Sequence, residues 1–142
     1  MIGLLDRSPR VLERSEIVRL PHTTVTVKES HRKSSTYSGV LLMDLLLRAG
    51  SDSNTHSERG DLGKIVVVEG VEDPSVVFAL TDLDSTLTDN RVLLADSKDG
   101  KPLAAPEGPF RIIVKGDKEP ARWVRHVWAI YVVNVVEARE GT

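Results

Sequence analysis

The residues best suited to chemistry lie late in the chain. Arg111, Lys115, Lys118, Arg122 and Arg125 form its densest basic stretch, with Asp117 and Glu119 set against them. A planar guanidinium offers paired N–H donors that match a phosphate or carboxylate, so the stretch is compatible with an anion site. Trp123 and Val124 lie inside it and His126 follows it. The plainer reading makes Arg111 and Arg125 solvated strand residues, or pairs them with acids such as Asp96 or Glu107. His126 either touches a ligand phosphate or lies on the exposed face of the last strand. His22 and His31 have no clear third ligand, which reads as polar surface and not as a metal site. His56 belongs to a polar loop. Ser34, Ser35 and Ser38 stand near His31, but no G-x-S-x-G elbow presents one of them as a nucleophile.

A small scaffold must position these groups. At 142 residues the chain is the size of one domain. Apolar residues are 40% and charged residues 28%, which is globular composition; with 4% aromatics the core must be built from Val, Leu and Ile. Nineteen basic against 21 acidic side chains give a net charge of −2, so nothing draws the whole chain to nucleic acid or to a membrane surface. There is no cysteine, which excludes disulfides, zinc–thiolate sites and cysteine nucleophiles. The apolar runs fall far short of the roughly 20 residues that cross a bilayer as a helix. The start shows no basic segment followed by an apolar one. As written, the chain is expected in the cytoplasm; a trimmed N-terminus would make it periplasmic or exported.

Glu13 to Leu20 reads as a short amphipathic helix ended by Pro21. His22 to Val27 alternates as a strand. Glu29 to Ser38 is polar and reads as a loop. Gly39 to Gly50 reads as the clearest helix, apolar almost all round and so largely buried. Ser51 to Gly60 reads as a polar, mobile loop. Lys64 to Glu69 is a β-branched run suited to an interior strand. Further strands are expected at Ser75–Leu80, Arg91–Ala95 and Phe110–Val114. Leu83 and Leu87 fit one helical turn, and Pro106 to Pro109 a loop. Asp99-Gly100 is a tight-turn signal. Trp123 to Val136 reads as one long closing strand. Tyr37 and Trp128 are expected in the core or at its edge, and Trp123 near a pocket. Strands outnumber helices without alternating with them, which argues for a single α+β domain with mixed or antiparallel sheets. The expected division is an N-terminal segment over 1–20, the domain over 21–137 and a tail over 138–142.

Asp82-Leu-Asp84-Ser85-Thr86-Leu87-Thr88 follows the apolar run Val76–Leu80. It resembles the first motif of haloacid-dehalogenase-like phosphatases, D-x-D-x-T. That resemblance implies a nucleophilic Asp82 and an acid/base Asp84 beside magnesium. It covers seven residues, and that family sets the motif on the first strand of a parallel sheet. Here 54 residues follow Thr88, too few for the remaining crossovers at about 30 residues each. A polar turn with acids at a helix start also accounts for the segment.

A second likeness covers residues from about 20 to 136. Its pieces, in order, begin with Tyr37-Ser-Gly39-Val40-x-Leu42-x-x-Leu45-Leu46-x-x-Ala49-Gly50 and Val92-Leu-Leu94-Ala95. Asp99-Gly100-x-Pro102-Leu103, Glu107-Gly108-Pro109-Phe110-Arg111-Ile-Ile-Val114 and Ala121-Arg122-Trp123-Val124-Arg125 complete them. The ordered set resembles the molybdopterin-binding domain of the sulfite oxidase family, and the Asp82–Thr88 segment falls inside it. The resemblance implies a mixed α+β fold and an anionic pterin cofactor carrying a phosphate and dithiolene-bound molybdenum. It implies contacts from Arg111, Arg122, Trp123, Val124 and Arg125, with Ser30 and His31 facing the metal end.

The departures are as informative. The family holds molybdenum through one cysteine thiolate after the strand equivalent to Thr23–Val27. Here that region reads Lys28-Glu29-Ser30-His31-Arg32. Ser30 or a neighbour takes the cysteine's place, with a much higher pKa than a thiol. The function expected is therefore that of a pterin-binding, oxidoreductase-like domain, with no catalytic residue assigned. Any enzyme activity would be that of a molybdopterin-dependent oxidoreductase. The alternative is a non-catalytic module for a small anion or a protein on the same fold. The partners expected are a small anionic ligand or pterin and a redox partner protein, with no nucleic acid and no membrane.

Overall fold

The computed structural model describes residues 2–4, 13–30, 33–48, 64–83, 91–116 and 120–134. Strand β1 spans Ile2–Leu4, helix α1 Arg14–Val18, β2 Thr23–Ser30, β3 Lys33–Leu41 and helix α2 Leu42–Arg48. Next come β4 at Lys64–Gly70, β5 at Val76–Ala79, β6 at Val92–Lys98, β7 at Lys101–Pro102, β8 at Arg111–Val114 and β9 at Val127–Asn134. Single turns of 3-10 helix lie at Leu80–Leu83 and Pro120–Arg122.

The strands form two sheets. One has the order β1-β9-β4-β5, parallel only between β1 and β9. The other runs β2-β3-β6, with β8 and β7 sharing the far edge of β6, and is antiparallel throughout. In β4 the alternation of buried Val66 and Val68 with half-buried Ile65 and Val67 gives one core-facing side. In β6, Val92 to Asp96 are all buried, as a strand covered on both faces requires. Side chains of both sheets, Ile17 of α1 and Leu42, Leu45 and Leu46 of α2 make one apolar cluster. The α+β reading holds, as do the strands expected around Lys64–Glu69, Ser75–Leu80, Arg91–Ala95 and Phe110–Val114.

Three expectations are corrected. Residues 33–38 are not loop but the first part of β3, hydrogen-bonded to β2. Their serines and threonines conceal a period of two, in which Ser35 and Tyr37 face the core and Ser34 and Thr36 face outward. The helix expected from Gly39 begins at Leu42, because Gly39 to Leu41 still pair with β6. A Cβ at Gly39 would run into the Leu94 carbonyl, so the glycine permits a close approach of strands. The last strand begins at Val127, not Trp123. Trp123 turns back on the Pro120 carbonyl, and His126 takes a positive φ of 49°, which no strand accommodates. Asp99 and Gly100, both with positive φ, form the expected tight turn between β6 and β7. Gly50, the Ser51–Gly60 loop, Leu87 and His56 lie outside the described residues.

Candidate functional site

Arg111 opens β8, opposite Ala95 of β6. Its guanidinium enters a cluster drawn from three strands and a loop. One nitrogen donates to Glu107 Oε2 at 2.8 Å and to the Tyr37 hydroxyl at 3.0 Å, while Nε donates to the Trp123 carbonyl at 3.3 Å. The Tyr37 hydroxyl in turn donates to Glu107 Oε2 at 3.3 Å. Lys98 Nζ lies 3.7 Å from the other carboxylate oxygen. The guanidinium carbon is 6.0 Å from the Tyr37 ring centre and 5.7 Å from that of Trp123, within cation–π range of both. Tyr37 is fully buried and the Arg111 side chain is 13% exposed. Two cations and a phenol thus converge on one carboxylate.

The loop that carries Glu107 is pinned. The Gly108 N–H donates to the Ala104 carbonyl at 3.0 Å, and the His126 N–H donates to the Glu107 carbonyl at 2.7 Å. A Cβ at Gly108 would collide with the Leu103 carbonyl, so only glycine lets the loop close this tightly.

Arg125 lies on the other side of the Trp123–His126 segment. Asp73, in the turn after β4, accepts from its backbone N–H at 2.9 Å, from Nε at 3.2 Å and from a terminal nitrogen at 2.9 Å. These hydrogen bonds, with the arginine's charge, hold the Asp73 carboxyl below its ordinary value and the guanidinium above its own. A pocket of about 180 Å³ lies here, lined by Glu72, Asp73, Ala105, Pro106, Arg125 and His126. That is well under the roughly 300 Å³ at which small-molecule sites begin, so it suits one chemical group and not a whole cofactor.

The basic stretch does not act as one surface. Val124 is buried, and its carbonyl accepts from Ile112 N at 2.8 Å. Trp123 is also buried, and its indole Nε1 has no acceptor among the described residues. Arg122 lies 4.8 Å over the Phe78 ring, on the side of the other sheet. Lys115 is exposed, and Lys118 lies outside the described residues. Ser30 ends β2, five residues beyond the Val25–Tyr37 pairing, or about 17 Å at a strand rise of about 3.4 Å. The fold therefore gathers Arg111, Trp123, Val124 and Arg125 into adjoining segments and leaves Ser30 at the hairpin tip. His31 lies outside the described residues.

Other residues singled out in the sequence resolve differently. His22 faces two acceptors, the Leu20 carbonyl and Asp96 Oδ2, the latter at 2.7 Å. Burial alone would lower its pKa; the hydrogen bonds and the Asp96 charge outweigh that and raise it above 6.5. Asp96 thus serves His22, not an arginine. Among the described residues no cluster of three metal-ligating side chains occurs. Asp82 is exposed in the 3-10 turn after β5, an edge strand of a largely antiparallel sheet, and Asp84 lies outside the described residues. Trp128, expected in the core or at its edge, is 45% exposed. Sequence reasoning missed Lys98 and Asp73, which carry no local signal of their partners.

A family model described as the oxidoreductase molybdopterin binding domain matches residues 11–139. No curated protein matches the chain at a significant level. Among solved structures, the fold is similar to that in the crystal structure of the sulfane dehydrogenase SoxCD from Paracoccus pantotrophus. The TM-score is 0.68 at 23% identity, over 94% of this chain and 37% of that one. The chain thus spans little more than a third of that protein's length.

Proposed function

The chain belongs to the oxidoreductase molybdopterin-binding domain family, and from that premise we propose that it binds the anionic, organic part of a molybdopterin-type cofactor beside β8. Arg111, Trp123, Val124 and Arg125 would line that site. The buried indole N–H of Trp123 carries the reading. An unsatisfied donor of this kind costs about 1–3 kcal/mol; its ring centre is 5.7 Å from the Arg111 guanidinium carbon, in the segment that resembles the family's pterin-contacting pattern. An acceptor from a ligand would satisfy it.

The donor set fits the organic part of the group and not its metal. Guanidinium and N–H donors suit a phosphate and a polar ring. With no cysteine, the chain offers no thiolate. When bound, the group supplies redox chemistry at its metal; the chain's own residues bind and orient the organic part. Arg111 and Arg125 each hold an internal carboxylate, so each must exchange it for the ligand's anion. A non-catalytic module on this fold is the reading that would remain if no pterin were bound. An electron acceptor would be needed for turnover, and a redox partner protein is the class proposed.

The test is to purify the protein from a host that makes the cofactor. Elemental analysis would measure molybdenum, and fluorescence would measure oxidised pterin released by acid. Near-stoichiometric pterin is expected. Neither pterin nor molybdenum would sink the reading and leave the non-catalytic module.

A further inference from the structure

His22 faces two acceptors at once. Its Nδ1 is turned to the Leu20 carbonyl, and its Nε2 lies 2.7 Å from Asp96 Oδ2. A carbonyl and a carboxylate only accept, so both ring nitrogens must carry a proton to make both bonds. A neutral ring has one donor and satisfies only one of them. The same arrangement excludes a general-base role, because neither nitrogen is left to take a proton from a substrate.

Asp96 is placed for this contact. Ser38 of β3 pairs with Ser97 and Gly39 with Ala95, so Asp96 is the extra residue of a β-bulge in β6. A bulge re-aims the side chain it carries. Asp96 is buried, and its backbone carbonyl accepts from the Leu103 N–H at 3.1 Å. His22 precedes β2, and β3 separates β2 from β6, so the contact spans two strand spacings, about 10 Å. It ties the stretch before β2 to the middle of the sheet. Helix α1 in that stretch has five residues, too few to persist alone, and Ile17 is its one buried residue. Leu20 is only partly buried against the core. Among the described residues, Asp96 is the charged group that acts on the ring. The α1 side offers the neutral Leu20 carbonyl, and β3 offers uncharged Gly39 opposite Thr23.

We infer that His22 is a proton-operated latch: as an imidazolium it holds residues 13–21 on the sheet, and when the ring gives up a proton to solvent that segment opens while the two sheets stay folded. Burial opposes the charge, but the bonds to Asp96 and Leu20 and the Asp96 charge outweigh it and keep the pKa above 6.5. The latch is therefore closed below about 6.5 and loosens as pH rises through the higher folded value. It needs no cofactor, so it stands apart from the proposed function.

The test uses the whole protein. NMR of the ring nitrogens would follow the titration of His22. Amide hydrogen exchange, corrected for the intrinsic rate at each pH, would be measured at Ile17 and Leu20, whose N–H groups donate to the Glu13 and Ile17 carbonyls, and at Val66 and Val68 of β4. As the ring loses its proton, protection at Ile17 and Leu20 is expected to fall about fivefold, the worth of one hydrogen bond. It should also stay well below protection in β4. His22→Gln keeps a donor but does not titrate, and should remove the pH dependence. Protection unchanged through the ring titration would overturn the inference. So would protection at Ile17 and Leu20 equal to that at Val66 and Val68, since the segment would then open only with the whole fold. PH dependence that persists in a folded His22→Gln variant would overturn it too. The first two results are read on wild type, so the test holds even if the variant fails to fold.

Discussion

Arg111 and Arg125 each hold a carboxylate, at 2.8 Å and 2.9 Å. By distance the pairs are equivalent, and Arg125 has the better geometry, with two side-chain bonds and a backbone bond to Asp73. Surroundings separate them. The Arg111 side chain is 13% exposed and lies between two rings, whereas that of Arg125 is 44% exposed. Water screens the exposed pair and competes for its hydrogen bonds, so such pairs contribute little to stability. Losing Glu107 would leave the shielded Arg111 guanidinium poorly solvated, whereas Glu107 itself is 26% exposed and also has Lys98 and the Tyr37 hydroxyl. The Asp73 contact instead fixes where the Trp123–His126 segment crosses the turn after β4. Gly70 serves the same crossing, since a Cβ there would meet the Arg125 carbonyl.

The largest effect expected is from Arg111→Met. It removes the strongest donor to Glu107 together with the hydrogen bonds to Tyr37 and the Trp123 carbonyl, and should cost about 2 kcal/mol in denaturant unfolding. A cost no greater than that of Arg125→Met would break the comparison. The His22–Asp96 pair should fall between, because Asp96 is buried and His22 only partly so. The His22 pKa is raised on folding, so its contribution is full below about 6.5 and is lost as pH rises through the higher folded value. Unfolding followed from pH 5.5 to 8.5 should therefore show stability falling in wild type, with that slope reduced in Asp96→Asn. An unchanged slope would remove His22 as its source. Smallest is Asp73→Asn, expected to lower Tm by about 2 °C in dilute buffer and by less in 1 M salt, where the screening length is only about 3 Å. A large, salt-insensitive loss would show that the exposed pair behaves like the shielded one.

Much of the fold is legible in local patterns. The β-branched run at Lys64–Glu69 and the Asp99-Gly100 turn identify themselves, because burial on one face and positive φ each demand particular residue types. Residues 33–38 do not, since serine and threonine suit either a loop or a strand whose partner supplies the hydrogen bonds. Trp123 to His126 misled in the opposite sense. Its composition favours a strand, but the chain must turn there to place Arg125 on Asp73 and Val124 on β8. Of the site, Arg111 and its pairing with Glu107 were open to a sequence reading. The roles of Lys98, Tyr37 and Asp73 were not.

By itself the sequence determined the class of the fold, an aliphatic core, the absence of any thiolate and the ordered motifs that mark the family. The first three follow from composition and from periodicities that act over a few residues; the motifs are short residue patterns whose order resembles that of the family. Only the tertiary structure decided which acid meets which base. Asp96 could have met an arginine and instead faces His22, 74 positions away; Asp73 meets Arg125 across 52. Side-chain charge carries no address along the chain. Strand register and the packing of the sheets supply it.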